Sequence, residues 1–228
     1  MKVVLKQEIT KRYPDYKMGV MEIGIARYDI NALRRALTSS VAKRNPLHKN
    51  VETESIWKQI FVEMKASPQR LPSVVSLWNF YEQYGGLRSV NYFVDAYSYV
   101  SLKHSIPIGG YDLDSLPSKD ITLRYARKGD RFKPLGLNQF ERIKDESEIA
   151  YYSIGDVICR YWNNKDSEIT KVTSLTKRLV VLFDSFGDIK PLNAAMDELE
   201  TLYRETSDVS FLCKNVLSSI NPFLNYVS

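Results

Sequence analysis

Hydrophobic and polar residues alternate near the start of the chain, and further along the hydrophobic residues recur at helical spacing. The alternation predicts strands over residues 3–5 and 18–25, with a turn at Pro14-Asp15 between them. Apolar positions three and four apart then predict four helices. The first follows an N-cap at Asp29 and ends at Pro46. The others cover residues 51–66, 73–84 and 89–106; Gly85-Gly86 ends the second of these, and Ser89 caps the third, which has Val90 on its inner face.

After Gly109-Gly110 the pattern changes to short strands separated by turn residues. Predicted strands cover residues 121–126, 132–135, 140–143, 148–153, 157–162 and 179–183, and two helices follow over residues 191–206 and 208–219. Because helices and strands are segregated, we predict an α+β fold with antiparallel or mixed β-sheets layered with helices. We expect one domain over residues 1–228, with a basic flank at 1–50 and C-terminal helices within 190–220.

The composition is typical of a globular protein and excludes several classes. The 228 residues are 44% hydrophobic and 26% charged, which is unlike disordered or collagen-like chains. A chain of this length buries a core without disulfide or metal support. No apolar run is long enough for a membrane helix and no secretory signal is evident, so we expect a cytoplasmic protein without a membrane partner. Cys159 and Cys213 lie far apart and form no metal or redox motif.

Basic residues are concentrated in two regions of the chain. Residues 1–50 hold 11 basic and 4 acidic residues, and residues 119–178 hold 13 and 9. Residues 184–208 reverse the balance, with 2 basic and 7 acidic residues. Two basic regions favour a polyanionic partner, RNA first among them. A solvated basic face without a ligand is the alternative.

Common catalytic motifs are absent from the chain. There is no G-x-x-x-x-G-K-[ST], G-x-G-x-x-G, H-E-x-x-H or G-x-S-x-G sequence, and the histidines are His48 and His104. We therefore predict no nucleotide cofactor, no other cofactor and no metal centre. A Ser-His-Asp triad would have to use one of these two histidines.

Two segments carry the residues best suited to a site. In residues 99–114, Pro107 ends a helix and Gly109-Gly110 predicts a turn that brings backbone N–H groups close to a ligand, or simply a tight helix-to-strand turn. In residues 157–171, an apolar strand leads into a loop with Arg160, Trp162 and Asn163. Arginine and tryptophan clamp and stack nucleotides, and asparagine reads a base edge or holds a water molecule. A polar loop anchored in the core by Trp162 is the alternative.

These segments are part of a longer series of short motifs in a specific order. The series consists of Tyr99-Val100-Ser101-Leu102, Pro107, Gly109-Gly110-Tyr111-Asp112-Leu113, Arg124, Ala126, Gly129-Asp130, Pro134-Leu135-Gly136-Leu137 and Asp166-Ser167-Glu168-Ile169-Thr170. In this order it resembles the tRNA-editing domain of the phenylalanyl-tRNA synthetase β subunit, here as a free-standing protein. The resemblance covers about residues 85–190.

The resemblance implies a protein that takes in the aminoacyl 3′ end of tRNA and hydrolyses the ester of a wrong amino acid in trans. Such an ester is already activated, so positioning a water and polarising the carbonyl suffice. On this basis we predict three sets of site residues. The catalytic or carbonyl contacts are Arg160, Asn163 and Lys171; the substrate pocket is Gly109, Gly110, Tyr111, Trp162 and Thr170; the tRNA phosphate contacts are Arg124 and Lys128.

The chain departs from the family at three pocket positions. Gly109 stands where the family often has His, Arg160 where it has Gly, and Leu182 where it has an acid, unless the register slips by two residues to Asp184. Amino-acid specificity and hydrolysis therefore stay open. The alternatives are a non-catalytic tRNA-binding module and a small-molecule-binding protein without an RNA partner. For the hydrolase, we predict that Arg160→Ala slows deacylation at least tenfold, a loss of about 1.4 kcal/mol.

Overall fold

Two β-sheets organise the computed structural model, which describes residues 1–42, 47, 49–116 and 118–225. In the described residues the helices are α1 (Gln7–Arg12), α2 (Ile30–Ala42), α3 (Val51–Glu63), α4 (Ser73–Tyr84), α5 (Tyr92–His104) and α6 (Ile189–Thr206). The strands are β1 (Lys2–Leu5), β2 (Tyr16–Tyr28), β3 (Ile108–Asp112), β4 (Asp120–Tyr125), β5 (Arg131–Phe132), β6 (Glu141–Arg142), β7 (Ile149–Ser153), β8 (Asp156–Arg160), β9 (Lys165–Asp166), β10 (Arg178–Phe186), β11 (Ser207–Leu217) and β12 (Phe223–Asn225). The α+β prediction is confirmed.

The larger sheet is mixed and the smaller one is antiparallel. The larger has the order β12-β1-β4-β7-β8-β5-β6, and β9 pairs with β8 outside this path. Its β1–β4 and β5–β8 pairs are parallel. The smaller sheet has the order β11-β2-β10-β3, with every pair antiparallel.

The main hydrophobic core lies between the two sheets. Alternate residues of β2 and β10, such as Val20 and Leu182, point into this core together with residues of β1, β4, β7 and β8. The intervening residues, such as Met21 and Val181, pack against α2, α5 and α6 on the other face of the smaller sheet. Successive strand residues point to opposite faces, and both faces of the smaller sheet are buried because both sets are apolar and covered. Helices α3 and α4 add Trp57 and other apolar residues to the inter-sheet core.

The helix predicted over residues 208–219 is wrong, because the segment is strand β11. It pairs antiparallel with β2 from Ser207 opposite Tyr28 to Leu217 opposite Met18. Val209 and Phe211, two positions apart, both pack against the helical side of the sheet. That two-residue period and the long, available edge of β2 make the segment a strand. One C-terminal helix, α6, therefore stands where two were predicted.

The turn predicted at Pro14-Asp15 does not join two neighbouring strands. Helix α1 lies between β1 and β2, which belong to different sheets. The helix has six residues and buries one of them, Ile9, so its hydrophobic pattern is too short to detect.

The start of the fourth predicted helix also differs. Asn91, not Ser89, is the N-cap of α5, because its side chain accepts hydrogen bonds from the amides of Phe93 and Val94. Ser89 instead donates its hydroxyl proton to Asp95. Val90 is 63% exposed and does not lie on the inner face of the helix.

The remaining predicted elements exist, with shorter strands around residues 132–143. Helix α4 has the predicted bounds and ends at Gly85, whose φ is +69°. The predicted strands at 132–135 and 140–143 are reduced to the two-residue strands β5 and β6. The predicted helix end at Pro46, and His48, lie outside the described residues. No helix in the described ranges is both long enough and apolar enough to cross a membrane.

Candidate functional site

A buried carboxylate near the end of β10 is the centre of a hydrogen-bond network between the two sheets. The hydroxyls of Tyr16 and Tyr151 both donate to Oδ1 of Asp184. Trp162 Nε1 donates to the same oxygen at 3.1 Å, and Asn163 Nδ2 donates to Oδ2 at 3.3 Å. Burial raises the pKa of Asp184, while these donated hydrogen bonds oppose the rise. The network holds a carboxyl group in a fixed orientation inside the protein.

The strand period explains where this carboxylate points. Asp184 lies two residues after Leu182, so both side chains are on the face of β10 that meets the inter-sheet core. Leu182 pairs with Gly109 across the β3–β10 ladder. The backbone N–H of Asp184 donates to the carbonyl of Pro107 at 2.9 Å, just beyond that ladder.

A left-handed turn after β8 brings Trp162 and Asn163 to the network. Tyr161 and Trp162 have φ values of +51° and +63°, which non-glycine residues rarely adopt. The backbone N–H of Trp162 donates to the carbonyl of Ile149 at 2.6 Å, which fixes the turn against β7. Backbone strain of this kind persists where the surroundings impose it and is common at functional sites.

A cavity of about 640 Å³ adjoins Asp184 on the side of α1 and α3. Three aromatic residues line it: Tyr13, Trp57 and Phe186. Its volume is within the range of small-ligand pockets. Because the buried Asp184 lines it, this cavity is the candidate substrate site considered below.

Carboxylates outnumber basic groups around this cavity. The acidic lining residues are Asp15, Glu52, Glu63, Asp184 and Asp188, and the basic ones are Arg12 and His104. Arg12 pairs with Glu63 at 2.8 Å, and the Tyr13 hydroxyl donates to the same carboxylate at 2.8 Å. The cavity is thus acidic even though the chain as a whole carries a net charge of +5.

His104 binds Glu198, which does not line the cavity. Its Nε2 lies 2.7 Å from Oε2 of Glu198 on α6, and Lys103 forms a second ion pair with the same carboxylate. Burial opposes ionisation, but these hydrogen bonds dominate and lower the pKa of Glu198 to about 2. His104 therefore joins α5 to α6 at the edge of the cavity.

A second group of titratable residues consists of the buried Tyr111 and Cys159 and the partly buried Asp166. Burial raises the pKa of Asp166 to about 6, although a hydrogen bond from Cys159 opposes the rise. Burial, followed by the charge of Asp166, also raises the pKa of the Cys159 thiol. A thiol with a raised pKa is a poor nucleophile, so Cys159 acts in packing rather than in chemistry.

The structure places the predicted carbonyl contact Arg160 in ion pairs. Its guanidinium binds Glu148 with two hydrogen bonds of 2.9 and 2.7 Å, and a third reaches Glu141 at 3.3 Å. Glu148 is 1% exposed and Arg160 is 13% exposed, which makes this a buried pair. The guanidinium lines a separate surface groove of about 550 Å³ together with Tyr161 and Lys144.

The other two predicted catalytic residues lie in different surroundings. Asn163 is part of the Asp184 network, and its Oδ1 also accepts a hydrogen bond from Ser73 at 3.3 Å. Lys171 is half-exposed and pairs with Glu168 at 3.5 Å. Of the three, Asn163 is the one that bonds to a residue lining the 640 Å³ cavity.

Trp162 and Thr170, from the predicted substrate pocket, are both buried. Trp162 packs edge-on against Tyr16 and Trp57, with ring centroids 4.9 and 5.3 Å apart. Its indole therefore does two things, since it fills the core and also donates to Asp184. Thr170 ends a short 3₁₀ turn (Glu168–Thr170), and its buried hydroxyl has no hydrogen-bond partner among the described residues.

Gly109 and Gly110 lie inside strand β3 rather than in a turn, which corrects the sequence interpretation. A Cβ on Gly110 would lie 2.7 Å from the ring of Tyr97, so the glycine is required for α5 to pack on the sheet. A Cβ on Gly109 would lie 3.0 Å from the hydroxyl of Tyr111. The glycine pair serves close packing, and Tyr111 is buried in the inter-sheet core.

The two predicted tRNA contacts differ in accessibility. Arg124 binds Asp130 through hydrogen bonds of 3.0 and 3.2 Å and stacks on the ring of Tyr152. The side chain of Lys128 is exposed, and its backbone N–H donates to Glu146. Lys128 is therefore the one of the two that is open to a polyanion.

Sequence reasoning missed most residues around the cavity. None of Trp57, Phe186 and Tyr16 is among the predicted site residues, and Asp184 was considered only as the alternative register to Leu182. A usable signal exists for Asp184, because it is the acidic residue in the otherwise apolar run Leu179-Val180-Val181-Leu182-Phe183-Asp184. An acid inside a buried strand indicates a partnered or functional carboxylate.

Comparison with known protein families identifies the core of this chain. The family model described as the B3/4 domain matches residues 57–197, which is more than half of the sequence. The chain belongs to the B3/4 domain family. The matched residues include the second half of α3, the smaller sheet's β3 and β10, and the turn that carries Trp162 and Asn163.

Curated relatives agree with this assignment. The chain is 33% identical over 89 residues to the phenylalanine–tRNA ligase β subunit of Anaeromyxobacter dehalogenans, covering 39% of this chain and 11% of the relative. The corresponding subunit of Protochlamydia amoebophila is 30% identical over 118 residues, covering 50% and 13%. The chain thus spans a small part of each relative's length. The predicted resemblance to this β subunit is confirmed.

A solved structure gives a looser match. An N-terminal fragment of the phenylalanyl-tRNA synthetase β subunit from Pyrococcus horikoshii aligns over 91% of this chain and 49% of that chain. The TM-score is 0.46 and the sequence identity is 15%.

Proposed function

We propose that this protein binds the aminoacyl 3′ end of a tRNA and hydrolyses the ester bond of a mischarged amino acid in trans. Membership in the B3/4 family supports a role connected with tRNA synthetases. The observation that carries the proposal is the 640 Å³ cavity beside the buried Asp184, next to the strand pair where Gly109 faces Leu182. In this proposal the amino acid enters the cavity while the ribose and phosphates stay outside.

The residues around Asp184 would position the ester and the attacking water. An aminoacyl ester needs an oriented water and a polarised carbonyl more than a strong nucleophile. Asn163 has an amide held by Asp184 and Ser73, so its side chain is fixed at the edge of the site. Lys128 would contact the RNA backbone on the surface.

A non-catalytic tRNA-binding module is the second candidate. Gly109 and Leu182 form a cross-strand pair without an ionisable group, at the positions where the resemblance implies His and an acid. The Arg160 guanidinium already forms ion pairs with Glu148 and Glu141. These observations favour binding without hydrolysis if Asp184 does not replace the missing acid.

A deacylation screen over a panel of mischarged tRNAs tests the proposal. We expect release of at least one amino acid, and Asn163→Ala should slow it at least tenfold, a loss of about 1.4 kcal/mol. Asn31→Ala, at an exposed position of α2, is the matched control and should keep the full rate.

Binding measurements separate the two candidates. Salt-dependent tRNA binding without deacylation of any substrate would favour the non-catalytic module, with log K falling linearly in log salt concentration. The absence of both activities would contradict a tRNA-directed function.

A further inference from the structure

We infer that the cavity beside Asp184 selects an amino acid with a positively charged side chain. This inference rests on the proposed function for the origin of the ligand, because it names the class of amino acid that the site would accept. It depends on two features of the cavity, which are its aromatic walls and its unbalanced carboxylates.

The aromatic walls form a cluster of three rings. The ring centroids of Trp57 and Phe186 are 5.3 Å apart, and those of Tyr13 and Phe186 are 6.1 Å apart. Aromatic clusters attract ammonium and guanidinium groups through the ring quadrupole, and tryptophan does so most strongly. The same walls provide apolar contact for the methylene groups of a lysine or arginine side chain.

The carboxylates at the rim supply the charge preference. Asp15, Glu52 and Asp188 are exposed, and none has an ion-pair partner within the described part of the chain. Glu63, in contrast, is neutralised by Arg12 at 2.8 Å. The field at the mouth is therefore negative, so it attracts cations and repels anionic side chains.

Asp184 extends the same preference to the base of the cavity. Its two oxygens accept hydrogen bonds from neutral donors only: two tyrosines, an indole and an amide. No cation among the described residues pairs with this carboxyl group, so a ligand cation beside it would favour its ionised form against the effect of burial. A neutral side chain of equal length would gain the apolar contacts but not this interaction.

Binding of two amino-acid amides to the whole chain tests the inference without requiring hydrolysis. L-Lysinamide and L-norleucinamide have side chains of similar length, but the lysine side chain ends in an ammonium group. By isothermal titration calorimetry at low salt, we expect L-lysinamide to bind at least tenfold more tightly than L-norleucinamide. Higher salt should reduce the difference, because the rim carboxylates are screened.

Substitutions locate the preference in the cavity. Glu52→Gln, at an exposed and unpaired rim position, should reduce the lysinamide preference several-fold without affecting folding. Asp184→Asn should reduce it at least tenfold. Glu82→Gln, the same change at an exposed position of α4 outside the cavity lining, should leave it unchanged.

The outcomes distinguish this inference from the proposed function. Equal or tighter binding of L-norleucinamide, binding of neither amide, or a preference unaffected by both Glu52→Gln and Asp184→Asn would overturn the inference. Deacylation of a tRNA charged with a neutral amino acid in preference to lysine would also overturn it and leave the hydrolase intact. A clear lysinamide preference with no deacylation of any tRNA would support the inference and contradict hydrolysis.

Discussion

The role of Arg160 in the structure differs from the role that the sequence predicts. In the sequence it is a cation at the start of a polar loop, at a position suited to a substrate carbonyl. In the structure it pairs with the buried Glu148 through two hydrogen bonds and lies 5.0 Å from the ring of Tyr161. Glu148, whose carboxylate binds the guanidinium, is twelve residues earlier in the chain, on the other side of a turn.

Removing Arg160 should therefore affect stability as well as any activity. Arg160→Ala leaves Glu148 buried without an ion-pair partner, although the backbone N–H of Tyr161 still donates to it at 3.3 Å. We expect this variant to lower the free energy of unfolding by about 3–5 kcal/mol. The double variant Arg160→Ala with Glu148→Ala should lose less, because no charge is left unpaired. Urea denaturation measures both.

The exposed pair of Lys171 with Glu168 provides the control. Lys171→Ala should change the unfolding free energy by no more than about 1 kcal/mol. A loss for Arg160→Ala as small as this would show that the Arg160–Glu148 pair is not a structural anchor. Deacylation rates of the Arg160 variant must be compared per folded molecule, since a tenfold loss of rate is also what partial unfolding would produce.

At the scale of elements, the termination of α4 follows directly from local chemistry. Gly85 is the C-cap with a φ of +69°, and its backbone N–H donates to the carbonyl of Tyr81. Neither Gly85 nor Gly86 has another atom within 4 Å of an added Cβ, so backbone conformation alone separates the two positions. Gly86 has no positive φ.

This contrast predicts different effects for the same substitution. Gly85→Ala should destabilise the protein by about 1–2 kcal/mol, because an L-residue is strained in the left-handed region. Gly86→Ala should be neutral or slightly stabilising, because alanine restricts the unfolded chain. Thermal unfolding of the two variants checks this, and equal melting temperatures would argue against the left-handed cap.

The element β11 shows where local pattern fails. Its segment reads as a helix by apolar spacing, but the edge of β2 offers hydrogen bonds along its length from Met18 to Tyr28. Pairing satisfies the backbone and places Val209 and Phe211 on the helical side of the sheet. The sequence of the segment itself does not indicate that β2 is its pairing partner.

At the scale of the whole molecule, two carboxylates give stability opposite pH dependences. Burial raises the pKa of Asp166 to about 6 in the folded protein. As pH rises from roughly 4 to 6, Asp166 therefore ionises in the unfolded chain first, and the free energy of unfolding falls. His104 and Lys103 lower the pKa of Glu198 to about 2 despite its burial, so the stability it contributes is lost as pH falls below about 4.

Urea denaturation between about pH 2 and pH 8 should therefore show separate contributions from these groups. Asp166→Asn should flatten the decline in unfolding free energy between about pH 4 and pH 6. Glu198→Gln should instead reduce the loss of unfolding free energy as pH falls below about 4. An unchanged decline above pH 4 in the Asp166→Asn protein would contradict burial as the cause of its raised pKa.

Features that depend on near neighbours could be predicted from the sequence. Helical spacing with Gly85 defined α4, alternating residues indicated β2, and a short apolar segment indicated β10. Ordered motifs between Tyr99 and Thr170 led to the family that residues 57–197 match. Each of these signals is local, because a cap, a strand face or a turn depends on residues a few positions apart.

Which distant residues contact each other could be learned only from the folded chain. It joined Arg160 to Glu148, placed Gly109 and Gly110 in a strand against α5, and brought Tyr16, Tyr151, Trp162 and Asn163 to Asp184. It also formed the acidic, aromatic cavity from α1, α3 and the end of β10 in a chain whose net charge is positive. The physical reason is that packing and burial act between chain segments far apart in sequence, and they decide whether a charged side chain meets a partner, solvent or a ligand.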